Sequence, residues 1–158
     1  MEKRRTMTVL LYSTGEAGER LQRVIRDLVP KDKLEVYTSL EGFSDRLRKP
    51  MDDIPVAVIL AASENDLLTI LSISHLLYDV RFILVLPDRE DPTVAIGHSL
   101  RPRFLSYTDS DFREVTAVLG KMIGGSYYQR KARESAGARA YAGAHAMGHQ
   151  PYYKKFAL

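Results

Sequence analysis

The chain predicts an α/β fold: a doubly wound, five-stranded parallel sheet of order 2-1-3-4-5, with helices on both faces. Three observations carry this. Strand-like apolar runs alternate five times with segments of helical period along the chain. Three of those runs are apolar throughout, as strands covered on both faces require. The 158 residues, 45% apolar and 27% charged, suit one packed domain.

The elements follow in order. Thr8 to Tyr12 is the first buried strand. Leu21, Val24, Ile25 and Leu28 recur at helical spacing, and Pro30 ends that helix. Leu34 to Tyr37 alternates as a strand. Leu40, Phe43 and Leu47 share a helical face, stopped by Pro50. Val56 to Leu60 is the third strand. Leu67, Ile70, Leu71, Ser74 and Leu77 define the third helix. Phe82 to Leu86 is the fourth strand, Pro92 to Leu100 a short helix, and Phe104 to Tyr107 the fifth strand. Phe112, Val115, Leu119 and Met122 form the last helix, closed by Gly124 and Gly125. Consecutive parallel strands need right-handed crossovers. The first, third and fourth strands, being the most apolar, belong in the centre, and the second and fifth at the edges.

The loops after the strands carry helix-start signals. Ser13 with Glu16, Thr38 with Glu41, Ser63 with Asp66 and Thr108 with Asp111 have capping-box spacing, and Asp91 precedes Pro92 as a cap would. Capping accounts for most polar residues on the edge of the sheet where α/β proteins place their sites.

Residues 1–123 form the domain, and residues 124–158 read as an appendage. Of the basic side chains, Arg130, Lys131, Arg133, Arg139, Lys154 and Lys155 fall in the appendage, against the single acid Glu134. It therefore carries +5, and the domain −2, of a net +3. Five tyrosines and many alanines and glycines, with no apolar stripe, predict a segment that orders only on a surface. Basic residues between tyrosines suit a nucleic-acid or acidic protein partner. The absence of cysteine excludes disulfides, thiolate metal sites and cysteine nucleophiles. With no apolar run of membrane-spanning length and no signal-peptide pattern, the expected location is cytoplasmic, with no membrane partner.

Over residues 7–123 the layout resembles a response-regulator receiver domain, with the flavodoxin-like (βα)5 architecture. The likeness lies in Thr8–Tyr12, in Pro55–Ala61 with its proline before the apolar run, in Phe82–Pro87, and in Arg103–Tyr107 followed by Asp111 and Phe112. In that family an aspartate ending the third strand takes a phosphoryl group; here the place is Ala61, which has no nucleophile. Acidic residues after the first strand hold Mg²⁺; here they are Tyr12 and Ser13. The phosphate-stabilising lysine falls at Tyr107 and the switching hydroxyl at Pro87. The resemblance thus implies a pseudo-receiver, a two-component signalling relative with no catalysis and no cofactor. Its pocket is expected to be small and largely apolar. The family's partner surface, made by the fourth helix, fifth strand and fifth helix, would include Arg101, Arg103, Tyr107, Arg113 and Lys121, and serve a protein partner or a homodimer.

Two further readings come from the residues. The Tyr12–Glu19 loop, with Gly15 and Gly18, leads from strand to helix and resembles the phosphate loop of flavodoxins, which implies a small ligand or nucleotide there. Glu16 and Glu19 in the same turn oppose an anion and favour a structural turn. The histidines, His75, His98, His145 and His149, lack the partners of a catalytic or metal site.

Overall fold

The computed structural model describes residues 7–50 and 55–124. Strands β1 (Val9–Tyr12), β2 (Leu34–Tyr37), β3 (Val56–Leu60), β4 (Arg81–Leu86) and β5 (Phe104–Tyr107) alternate with helices α1 (Gly15–Leu28), α2 (Leu40–Arg48), α3 (Glu64–Ser72), α4 (Asp91–Ser99) and α5 (Arg113–Ile123). Every strand pairing is parallel, and the order is β2-β1-β3-β4-β5. This is the flavodoxin-like α/β fold that the pattern predicts.

The strand period of two sorts the side chains into two cores. Leu11, Val58, Val85 and Phe104 face α1 and α5, where Leu21, Ile25, Val115 and Leu119 meet them. Their neighbours Leu10, Ile59, Leu84 and Leu105 face the other way, against Phe43, Leu67, Ile70 and Leu77. Strands β1 and β3 are buried along their whole length, and β2 is half-buried, as an edge strand should be.

Local structure departs from the sequence expectation in α3 and at the starts of four helices. The third helix stops at Ser72, and a 3₁₀ turn, Ser74–Leu77, carries the chain on and contains His75. Its hydroxyls explain the break. Thr69 Oγ1 donates to the Asn65 carbonyl and Ser72 Oγ to that of Thr69, competing with the helical ladder.

The caps also shift. Ser63 Oγ accepts from the Asp66 amide as expected, but α2 is capped by Ser39 rather than Thr38. Thr14, not Ser13, caps α1, while Asp91 and Pro92 lie inside α4, after Glu90. At α5, Asp111 accepts from the Arg113 amide, while Thr108 turns away to the Pro87 carbonyl. The αL backbone of Phe112, φ 64°, starts that helix, its amide donating to Ser110 Oγ over 3.1 Å.

Candidate functional site

Parallel order puts the ends of all five strands, and the loops that follow, on one edge. Tyr12 and Ser13 end β1, Ala61 follows β3, Pro87 follows β4 and Tyr107 ends β5. The five positions of the degenerate pocket therefore share this carboxyl edge.

Ala61 is fully buried, and its amide donates to the Val85 carbonyl over 2.9 Å. Its place is a packed, neutral continuation of the β3–β4 ladder. Next to it, Asp66 in the first turn of α3 has both carboxylate oxygens occupied. Tyr12 Oη donates to Oδ1 and the Ala62 amide to Oδ2, each over 3.0 Å. Position in a first helical turn further favours this carboxylate. Burial, together with Asp66, pushes the Tyr12 hydroxyl above the ordinary tyrosine range, so it stays protonated as the donor. The Tyr12 ring is braced by Phe43, 5.7 Å between centroids.

The turn from β1 to α1 is equally closed. Ser13 is buried and its amide donates to the Tyr37 carbonyl. A methyl group on Gly18 would stand 3.1 Å from Ser13 Cβ and 3.2 Å from its carbonyl carbon. Glycine here lets α1 sit directly on the turn, which accounts for Gly18 without a ligand.

On the β5 side Arg20 reaches from α1 to the carbonyls of Thr108 (2.7 Å) and Ser110 (3.2 Å) and lies over the Phe112 ring. Arg89 stacks on Tyr107 at 4.2 Å and pairs with Asp109. Neither arginine stands out in the sequence, where charged loop residues read as solvated. The Tyr12–Asp66 bond spans 54 positions, and only Asp66's helix-start position signals it.

What remains open at β1 and β3 is a shallow hollow of about 290 Å³, lined by Thr14, Ala62, Ser63, Asn65, Asp66 and Thr69. The sequence predicts a small, largely apolar crevice; its wall is instead mostly hydroxyl, amide and carboxylate. The start of α3 supplies that polarity. Among the described residues, no group of three histidine or acidic side chains could hold a metal.

The proposed partner surface splits in two. Arg101 and Arg103 precede β5, and Lys121 lies in the last turn of α5, so all three are toward the amino edge. Tyr107 and Arg113 lie at the carboxyl edge, Arg113 paired with exposed Asp111 at 3.3 Å. The appendage contacts expected of Arg130, Lys131, Arg133, Arg139, Lys154 and Lys155 lie outside the described residues. Among the described residues, no helix is long and apolar enough to cross a membrane.

No protein-family model matches the chain, and no curated protein matches it.

Proposed function

We propose that this chain is a non-catalytic, receiver-like interaction module that works without phosphorylation. One observation carries the reading: the position that would hold a phosphoryl acceptor is Ala61, buried and hydrogen-bonded into the sheet. The surroundings support it. The one carboxylate in the adjoining hollow, Asp66, is engaged by Tyr12 and Ala62. A lone carboxylate with a hydrogen bond on each oxygen differs from the acidic group with which receivers hold Mg²⁺. The module would act by presenting the α4–β5–α5 face, with Tyr107 and Arg113 at one end, to a protein partner or a second copy of itself.

The test is incubation of the full chain with acetyl phosphate and Mg²⁺, followed by intact mass. An unchanged mass is expected. A base-labile gain of one phosphoryl group would overturn the reading. Sedimentation across protein concentration, with and without Tyr107→Ala and Arg113→Ala, tests the choice between self-association and a separate partner.

A further inference from the structure

A hollow of about 1010 Å³ lies at the opposite, amino edge of the sheet. Arg81, at the start of β4, and Arg101 and Arg103, before β5, share its wall. Asp79 is the one acid on that wall. The ion pairs of the described residues, Arg46–Glu35, Arg48–Asp45, Arg89–Asp109 and Arg113–Asp111, include none of these three arginines.

Arg101 and Arg103 are exposed and Arg81 is half-buried, and two features mark the cluster. Arg81 Nε is buried with no acceptor, while Nη2 makes a long 3.3 Å bond to the Met122 carbonyl. Burial, and then the neighbouring charge of Arg103, lowers the Arg81 pKa, so the two guanidinium groups strain against each other. Arg101 ends α4 in the left-handed region, φ 59°, its amide donating to the His98 carbonyl over 3.0 Å. Glycine adopts that conformation more cheaply. Next to the cationic wall, Leu77 and Leu100 are buried and Tyr78 is 88% exposed.

We propose that this hollow binds a phosphorylated small molecule, its phosphate oxygens held by Arg101 and Arg103 with the charge of Arg81 behind them, and an aromatic or apolar body lying beside Tyr78 and Leu100. Arginine forks match phosphate oxygens in pairs. A phosphate monoester brings about two negative charges, which with Asp79 offset the three arginines, whereas a carboxylate brings one. The mixed wall, apolar with a few convergent polar groups, is that of a small-molecule site. This inference is independent of the pseudo-receiver reading, because it uses the other edge of the sheet.

The test is calorimetric titration of the full chain with ATP, inorganic pyrophosphate, citrate and adenosine at low and high salt. ATP should bind most tightly, pyrophosphate more weakly, and citrate and adenosine more weakly still. Affinity should fall as salt rises. Arg103→Ala and Arg101→Gly should each weaken ATP about tenfold or more, the loss expected of a charge-assisted hydrogen bond. Arg101→Gly relieves the backbone, so a folding defect will not mimic the loss; its melting temperature serves as the control. Arg48→Ala, in α2 and outside both surfaces, should leave affinity unchanged. The proposal fails if neither phosphate probe binds at millimolar concentration. It also fails if both variants keep wild-type affinity, which would move the binding to other cations of the chain. Citrate binding more tightly than pyrophosphate would overturn the choice of phosphate.

Discussion

The two edges of the sheet treat charge in opposite ways. At the carboxyl edge Asp66 is taken up by Tyr12 and Ala62, Arg89 by Asp109 and Tyr107, and Arg20 by two carbonyls. At the amino edge Arg81, Arg101 and Arg103 gather round one hollow beside a single acid. The resemblance to receivers directs attention to the first edge, where reactive groups would be expected. Among the described residues, the one buried side-chain polar atom without a partner, Arg81 Nε, is at the second. The first edge is packed and self-paired, which is what the proposed non-catalytic reading requires. Like charges left together without partners are destabilising, and persist where something else offsets them.

The largest effect should come from the packing behind the carboxyl edge. Phe43 is fully buried and lies 5.7 Å from the Tyr12 ring and 6.0 Å from the Tyr37 ring. Phe43→Ala should destabilise by about 3–5 kcal/mol, read from urea unfolding. A loss under about 1 kcal/mol would mean that this edge is not braced as described.

Asp66→Ala should cost about 1–3 kcal/mol, since it strips acceptors from the Ala62 amide and the Tyr12 hydroxyl. Ultraviolet titration gives a second readout. Removing Asp66 should bring the Tyr12 hydroxyl back toward the ordinary value, though burial, the larger cause, keeps part of the shift. An unmoved titration would show that Asp66 does not hold Tyr12.

At the amino edge the sign reverses. Arg101→Gly should stabilise by about 0.5–1 kcal/mol, because a left-handed L-residue is strained by roughly 1–2 kcal/mol and glycine's greater unfolded entropy returns part of that. The melting temperature should rise by about 2–5 °C. A fall would show that Arg101 is a structural support, and that the contrast between the edges is wrong.

How much of this was legible in the sequence depends on range. The alternation at Leu34–Tyr37 and the apolar run Val56–Leu60 mark β2 and β3 to the residue, because strand period and burial are local properties. The order of strands follows from their apolar content, which puts β1, β3 and β4 in the centre. The caps are less determined, since Thr38 and Ser39 are adjacent hydroxyls and only backbone geometry selects Ser39. The Tyr12–Asp66 bond and the Arg81–Arg103 neighbourhood join residues from different βα units. No spacing rule reports such contacts. Arg81 in particular looks like a polar flank of an apolar strand, and only the β4–β5 pairing brings it to Arg103.

The smallest effect uses β2, which shows how this protein satisfies an arginine when an acid is supplied. Glu35 Oε1 accepts from Arg46 Nε and from Tyr37 Oη, both over 2.7 Å. Burial opposes ionisation of Glu35, but the bonds from Arg46 and Tyr37 and the charges of Arg46 and Lys49 outweigh it, so its pKa lies below the ordinary 4.5. Glu35 therefore contributes stability that is present above that ordinary value and is lost as pH falls through the lowered one. Tyr37 moves the other way. Burial, then its bond to Glu35, pushes its hydroxyl from 10.0 to about 12. Its contribution is complete below pH 10.0 and is lost as pH rises toward about 12. The Glu35 side chain is 38% exposed, so solvent screening keeps the acid-limb effect within about 1 kcal/mol. Urea midpoints measured across pH for wild type and Glu35→Gln decide it. The variant should flatten both limbs, the acid one because the carboxylate is gone and the alkaline one because Tyr37 no longer donates to an anion. If Glu35→Gln leaves both limbs as steep as in the wild type, the triad is not a stabilising unit, and it ceases to be the paired counterpart of the three arginines at the amino edge.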